Sequence, residues 1–171
     1  KMFDIESRII KINEFPSKIL NNSRQINICL PSSYFEFAEK SYSILYMHDG
    51  QNIFDGERAY AGVGWMVHEV HDKLVNMGMI RELIIVGIDN MQEERISEYA
   101  HTDGRFKRER VIGKGRYYER FVIEELKPFI DENFRTSPRA EDTGLMGSSM
   151  GGLVTFNMGF RNPDVFGRLG I

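Results

Sequence analysis

The segment G-S-S-M-G at 147–151 restricts the fold of this chain more than any other stretch, because it separates two patterns that require different secondary structures. Residues 142–147 are typical of a strand, and residues 150–161 are typical of a helix that Asn162-Pro163 would end. A G-x-S-x-G sequence between a strand and a helix forms a tight turn, which holds the serine backbone in a strained conformation. Side chains two positions before and after the serine would collide in this turn, and glycine removes them.

The rest of the chain alternates between short apolar runs and longer segments with helical periodicity. Residues 43–47 and 82–88 are apolar runs that suit parallel strands, and the second, rich in β-branched residues, suits burial on both faces. Residues 65–77 and 116–133 repeat apolar side chains at helical spacing, and Pro128 is expected to kink the second helix or break its last turn. Partial alternation or short apolar runs predict further strands, over residues 4–12, 24–30 and 166–171.

This order of elements predicts an α/β fold. Strands that alternate with helices form parallel sheets with right-handed crossovers. We expect one domain over residues 1–171, with a mostly parallel sheet and antiparallel N-terminal strands. Ligands of such sheets bind at the carboxyl ends of the strands. The segment H-D-G at 48–50 and the tight turn at 147–151, called the serine turn below, are both expected at such ends.

Size, composition and charge exclude several classes of protein. The chain has 171 residues, of which 42% are apolar and 27% charged, and a formal net charge of −3. We therefore expect neither nucleic acid nor a membrane as a partner. The single Cys29 excludes an internal disulfide framework and a multi-cysteine metal site. The start K-M-F-D-I-E lacks the apolar stretch of a secretory signal, so the expected location is cytoplasmic.

Ser149 is the candidate nucleophile of the serine turn. Its hydroxyl would stand above the sheet edge at the start of a helix, and the N–H of Met150 would point toward the space where an oxyanion forms. The alternative is that the motif arises by chance and that Ser149 caps the helix. The strand and helix predicted around the motif favour the catalytic interpretation.

Four segments together carry a family resemblance. They are Y-M-H-D-G-Q-N-I-F at 46–54, I-I-V-G-I-D-N at 84–90, R-I-S-E-Y at 95–99 and G-S-S-M-G-G at 147–152. They resemble the Putative esterase family, the esterase D-like branch of the α/β-hydrolases, which includes feruloyl, acetyl-xylan and siderophore esterases, S-formylglutathione hydrolases and mycolyl transferases. The resemblance runs from residue 24 to residue 171 and implies a three-layer α/β-hydrolase-like fold.

The resemblance also implies roles for single residues. Ser149 matches the nucleophile, and the backbone N–H groups of Met150 and Gln51 match the two donors of the oxyanion hole. Arg95 and Tyr99 match a recurrent element to which we assign a structural role. The implied activity is hydrolysis of a small-molecule carboxylic ester through an acyl-serine intermediate, with no cofactor and no metal. An acyltransferase of the same family is the alternative.

The acid and the histidine of the family's catalytic triad have no match in this chain. Only 22 residues follow Ser149, and they include no histidine and a single acid, Asp164, at the end of the helix that follows the serine. A serine hydroxyl without a base is a weak nucleophile. We therefore expect a domain truncated at its C-terminus, with both groups beyond residue 171, and a chain that is inactive alone. A non-catalytic fragment is a further alternative, and formation of a homo-oligomer is left open.

Other polar clusters have weaker claims to a function. His48 is expected to shape the turn at 48–50. The alternative is that it acts as the general base, but it precedes the serine in the chain, whereas the histidine of this fold follows it. His68 and His71 are three residues apart instead of the four of a zinc-protease helix, so a solvated helix face is favoured over a metal site. The basic run over 105–116 is interpreted as a mobile solvated loop, with an anion-binding loop or a nucleic-acid patch as alternatives.

Overall fold

The computed structural model describes residues 4–6 and 8–171 of the chain. In this part of the chain seven strands form one sheet, and two short strands form a separate hairpin. The strands, numbered in chain order, are β1 (Asp4–Glu6), β2 (Ile9–Ser17), β3 (Asn22–Cys29), β4 (Ser43–His48), β5 (Leu83–Ile88), β6 (Gly104–Phe106), β7 (Glu109–Val111), β8 (Thr143–Met146) and β9 (Arg168–Gly170).

The α-helices of the same residues lie between and after these strands. They are α1 (Val67–Asn76), α2 (Arg95–Tyr99), α3 (Gly115–Arg120), α4 (Lys127–Asn133) and α5 (Met150–Arg161). A π-helical segment, Phe121–Leu126, joins α3 to α4, and short 3-10 turns cover Ser32–Phe35, Gly50–Asn52, Gln92–Glu94 and Ala140–Asp142. Across residues 4–6 and 8–171, none of the helices has the length and hydropathy that a bilayer span requires.

The strand order in the sheet confirms the predicted architecture. The order is β1-β2-β3-β5-β4-β8-β9, so the central strands β5 and β4 are out of chain order because a crossover joins them. The pairs β5–β4, β4–β8 and β8–β9 are parallel, whereas β1, β2 and β3 pair antiparallel with their neighbours, and β3 also meets β5 antiparallel. The sheet is therefore mostly parallel at its centre and antiparallel at its N-terminal edge.

The boundaries of the first strands differ from the sequence-based prediction. The single strand predicted over 4–12 is a β1–β2 pair, in which Ile5 lies opposite Ile10. Residue 7 of the predicted strand lies outside the described residues. The chain reverses within this stretch, which a short, only partly alternating pattern could not reveal, and β2 then continues to Ser17.

Pro128 lies in a helical segment that continues past it. The predicted helix over 116–133 is observed as the continuous segment 115–133. Pro128 has no N–H, and its ring would clash with the carbonyl four residues earlier in a regular helix. The π-helical turn that precedes it widens the helix at this place. The expected break in the last turn is therefore wrong, because the helix absorbs the proline by a local change of pitch.

Apolar side chains cover both faces of the sheet, and the fold accordingly has three layers. On one face, buried residues of the central strands such as Tyr46 and Val86 pack against the helical segment 115–133 and against α5. On the other face, Met47 and Ile85 pack with Val67 at the start of α1. Neighbouring residues of β4 and β5 therefore serve opposite layers, which explains their continuous apolar sequences.

A buried ion pair joins the antiparallel edge of the sheet to the helical layer. The side chains of Arg24 in β3 and Glu98 in α2 are 1% and 2% exposed, and their two hydrogen bonds measure 2.9 Å and 2.8 Å. The guanidinium of Arg24 also lies 4.8 Å from the ring centroid of Phe121. Both charges are desolvated, so each depends on the other for its stability.

We expect Glu98→Ala to lower the free energy of unfolding by about 3–5 kcal/mol, because it leaves the buried guanidinium of Arg24 without its counter-charge. Urea unfolding followed by far-UV circular dichroism measures this loss. Glu124→Ala is the matched control, since Glu124 pairs with Arg120 on the helix surface, where ion pairs contribute little. Equal losses in the two variants would contradict the role assigned to burial.

Apolar side chains are exposed on α5 and β9 at one edge of the sheet. Phe156 and Phe160 are 47% and 69% exposed, and their rings lie 4.5 Å apart between centroids. Leu169 of β9 is also exposed, and among the described strands β9 pairs with β8 alone. An open strand edge beside exposed aromatic rings is a surface that favours association.

We expect the 171-residue chain to self-associate in solution through this edge. Light scattering should give a mass above that of the monomer, and Phe160→Ser should shift the distribution toward monomer. Phe37→Ser is the control, because Phe37 is 54% exposed but lies outside α5 and β9. A monodisperse monomer for the unchanged chain would refute the expectation.

Candidate active site

Ser149 occupies the turn between β8 and α5 in a conformation that is rare for a residue with a side chain. Its backbone has φ 57° and ψ −123°, and the residue is exposed. A Cβ atom on Gly147 would lie 2.3 Å from the carbonyl oxygen of Gly151, which no real structure tolerates. The need for glycine at 147 is therefore confirmed, whereas a Cβ atom on Gly151 would meet the carboxylate of Asp49 at 3.1 Å and not residue 147. The predicted succession of strand, tight turn and helix is confirmed, with Ser149 at its apex.

Two backbone N–H groups, one next to Ser149 in the chain and one in the same cleft, have no hydrogen-bond partner among the described residues. One belongs to Met150, the first residue of α5, and the other to Gln51, in the turn that follows β4. Ser149 and Gln51 line the same cleft, whose volume is about 560 Å³. Unpaired N–H groups beside an exposed hydroxyl are the arrangement that stabilises a developing oxyanion.

The carboxylate of Asp49 holds the turn that carries Gln51. Arg95 donates to it from Nε at 2.7 Å and from a terminal nitrogen at 2.9 Å, and Asn90 donates its side-chain amide at 2.7 Å. The hydroxyl of Tyr99 accepts the N–H of Asp49 at 3.2 Å and contacts its carboxylate at 3.3 Å. These contacts bear out the structural role expected for Arg95 and Tyr99.

Asp49 is charged although its side chain is only 4% exposed. Burial by itself raises the pKa of the Asp49 carboxyl, but the hydrogen bonds from Arg95 and Asn90 outweigh burial, and the pKa lies below its ordinary value. The residue has φ 58°, in the left-handed region. Its four side-chain contacts hold the chain in this unfavourable conformation just before Gln51.

The turn after β4 packs directly on the end of β5. A Cβ atom on Gly50 would lie 2.7 Å from the carbonyl carbon of Gly87, so only glycine allows the two backbones to approach this closely. The N–H of Asn90 donates to the side-chain oxygen of Gln51 at 3.0 Å. The sequence segments D-G-Q-N and G-I-D-N, which are distant in the chain, thus form one unit.

Part of the wall of the cleft comes from segments that contain no recognisable catalytic motif. Arg58, Tyr60 and Trp65 precede α1, and Phe106 and Lys107 belong to the β6–β7 hairpin. The guanidinium of Arg58 lies 2.5 Å from the carboxylate of Asp89. Burial raises the pKa of this carboxyl, although Arg58 opposes the rise. Of these wall segments, only the hairpin was noticeable in the sequence, through its basic composition.

His48 is buried beneath the cleft. It is fully inaccessible, and its Nδ1 lies 2.8 Å from the hydroxyl of Tyr118. Burial lowers the pKa of His48 from 6.5 to about 4, although the nearby Asp49 opposes this shift. A neutral, enclosed imidazole suits the structural role expected for His48 and does not suit the alternative of a general base at Ser149.

The other histidines do not line the cleft of Ser149. His68 packs edge-on against the ring of Phe54, and His71 and His101 have hydrogen-bond partners. His71 is buried, which corrects the expectation of a solvated face: its Nε2 accepts the N–H of Leu83 at 3.0 Å, and its Nδ1 lies 3.0 Å from Asp72. His101 contacts Glu119 at 3.1 Å. Among the described residues, no three His, Cys, Asp or Glu side chains are grouped as a metal site requires.

The pKa of His48 predicts a pH dependence of stability. The neutral imidazole is favoured in the folded state, so its contribution is complete above pH 6.5 and is lost as the pH falls from 6.5 to about 4. The loss is on the order of 3 kcal/mol at the acid end, because one pKa unit corresponds to about 1.4 kcal/mol. NMR titration should show that His48 stays neutral at pH 5.5, and unfolding of His48→Asn should depend less on pH over this range. Titration of His48 near pH 6.5 would contradict the prediction.

The sequence is similar to a known family over most of its length. The profile of a family described as Putative esterase matches residues 17–171. The protein named "Uncharacterized protein YbbA" of Bacillus subtilis (strain 168) is 24% identical over 151 residues, which are 86% of this chain and 55% of that protein. The chain thus spans about half the length of this relative.

Solved structures show the same fold. An IroE-like serine hydrolase from Shewanella oneidensis has a TM-score of 0.75 and 24% identity, and the match covers 92% of this chain and 48% of the other. A ferulic acid esterase has a TM-score of 0.68 and 30% identity over 96% of this chain and 59% of the other. The α/β-hydrolase-like fold expected from the sequence is therefore confirmed.

Proposed function

The chain belongs to the Putative esterase family, and we propose that it carries the nucleophile half of a serine carboxylic ester hydrolase. The observation that carries the proposal is the strained, exposed Ser149 in a cleft that it shares with the turn of Gln51. Family membership supports ester hydrolysis. The assignment of roles to single residues is inferred from their geometry.

The proposed reaction proceeds through an acyl-serine. The Oγ of Ser149 attacks the ester carbonyl while its proton passes to a base, and the carbonyl oxygen becomes an oxyanion. The N–H groups of Met150 and Gln51 donate to this oxyanion. The tetrahedral intermediate then collapses, the bond to the alcohol oxygen breaks, and the alcohol leaves with the proton. Water, activated by the same base, attacks the acyl-serine and releases the carboxylic acid.

We infer that the base in this reaction comes from outside the 171 residues. The chain has four histidines, and none of them lines the cleft with Ser149. We propose that a histidine and an Asp or Glu elsewhere in the whole protein complete the site. The substrate is a small-molecule ester, and the chemistry assigned to these residues needs no cofactor.

We expect Ser149→Ala, in the whole protein that contains this chain, to abolish hydrolysis of p-nitrophenyl acetate. The expected loss in kcat is on the order of 10⁶, as for other serine nucleophiles. Ser148→Ala is the matched control, because Ser148 is the adjacent exposed serine of the same turn, and it should keep most of the activity. Retention of more than about a hundredth of the activity in Ser149→Ala would exclude Ser149 as the nucleophile.

We expect the 171-residue chain alone to be nearly inactive toward the same ester. Oxyanion stabilisation without a base leaves only about 10³ to 10⁴ over the reaction in water. Initial rates with the purified chain and with its Ser149→Ala variant measure this residual activity. Turnover above about 1 s⁻¹ that depends on Ser149 would show that a base lies within the chain, and His48 would be the first residue to mutate.

A further inference from the structure

The first part of the basic run over 105–116 forms the β6–β7 hairpin instead of an irregular loop. Residues 105–110 are exposed, as expected of a solvated segment, and Phe106 and Lys107 line the cleft. Strands β6 and β7 pair antiparallel, with Phe106 opposite Glu109. The two residues between them, Lys107 and Arg108, have φ 46° and φ 73°. Such a turn usually contains Gly or Asn, because side chains strain it. Here it holds two long cations, of which Lys107 lines the cleft with Ser149 and Arg108 does not.

The charges around the cleft leave one cation without a carboxylate. Arg58 is paired with Asp89 at 2.5 Å, and Arg95 is paired with Asp49 at 2.7 Å. Within the described part of the chain, no Asp or Glu forms an ion pair with Lys107, whose Nζ lies 5.5 Å from the ring centroid of Phe106. The cleft is therefore positive, although the chain as a whole has a formal charge of −3.

Aromatic side chains lie around the same cleft. Tyr60 is 97% exposed, Phe106 46% and Trp65 43%, and all three contribute to its wall. Exposed rings offer a surface for a planar apolar group, and the ammonium beside Phe106 offers a charge at the edge of that surface. A ligand that contacts both would have a ring and an anionic group.

We propose that this part of the cleft binds a carboxylate attached to an aromatic ring, with Lys107 as the cation that recognises the carboxylate. As a statement about the substrate, the proposal rests on the proposed function: the ester that reaches Ser149 carries a free arylcarboxylate in addition to the bond that is cleaved. As a statement about binding, it concerns the cleft alone, so the site can be tested without turnover.

The single tryptophan of the chain provides the readout. Trp65 is the only Trp in the sequence, and it lines the cleft, so its fluorescence reports on occupancy. The 171-residue chain is titrated with benzoate and, separately, with benzamide, which has the same ring and similar shape without the charge. We expect saturable changes with both probes and a dissociation constant for benzoate lower by about tenfold, the size of one charge-assisted contact. High salt should reduce this difference.

Two variants of the hairpin assign the difference to one residue. Lys107→Gln should bind benzoate and benzamide equally. Arg108→Gln removes the same charge from the same turn and should keep the preference for benzoate, because Arg108 is not part of the cleft wall. Circular dichroism of both variants verifies that they fold. Equal binding of the two probes to the unchanged chain, no saturable signal with either, or the same loss in both variants would each overturn the proposal.

A kinetic arm separates this proposal from the proposed function. In the whole protein, 4-acetoxybenzoate should be hydrolysed with a higher kcat/KM than its methyl ester, and Lys107→Gln should remove this preference mainly through KM. Absence of hydrolysis together with preferential binding of benzoate would refute the esterase and leave the site intact. Hydrolysis of both esters at equal kcat/KM would refute the arylcarboxylate substrate and leave the esterase intact.

Discussion

The geometry of this site depends on the hydrogen bonds that the carboxylate of Asp49 accepts. This carboxylate accepts hydrogen bonds from Arg95 and Asn90, so it joins the end of β4 to α2 and to the end of β5. A Cβ atom on Gly151 would lie 3.1 Å from its Oδ2. The same oxygen therefore fixes how closely α5 and the serine turn can approach β4. A buried charge is stable only when its partners surround it, and here those partners come from the segment that follows β5 and from α2.

This dependence explains why three separate sequence segments go together. D-G-Q-N supplies the charge and the turn, G-I-D-N supplies the amide of Asn90, and R-I-S-E-Y supplies Arg95 and Tyr99. When each of these three segments is considered alone, nothing explains why it has this sequence. In the structure each one satisfies a group of another, since the polar atoms brought to the end of a parallel sheet are removed from water and require hydrogen bonds.

How much could be predicted from the sequence depends on whether the determinants were local. The turn at Ser149 follows from short-range collisions of the backbone, and β5 follows from a continuous apolar run, so both were predicted with nearly correct boundaries. The strands β1, β6 and β7 have only three residues each, which is too short for an alternating pattern to be recognised, and the π-helical turn before Pro128 has no sequence signal of its own. The local pattern of the turn is also sufficient to indicate Ser149 and Met150 as candidates, whereas Gln51 is indicated only by the family resemblance. The cleft residues Arg58, Tyr60 and Trp65 were not predicted, because their loop has no periodicity.

In the proposed reaction, stabilisation of the oxyanion and transfer of the proton are separate tasks, and we propose that residues of this chain perform the first. The unpaired N–H groups of Met150 and Gln51 are fixed by contacts within the 171 residues. His48, the histidine nearest to the serine turn in the sheet, is enclosed by Tyr99 and Tyr118. Its burial keeps the imidazole neutral and stabilises the packing beneath Gly151, and the same burial prevents it from exchanging protons at the serine. The base that we propose for Ser149 would therefore approach from the open side of the cleft, whose wall also contains Lys107 and the aromatic side chains around it.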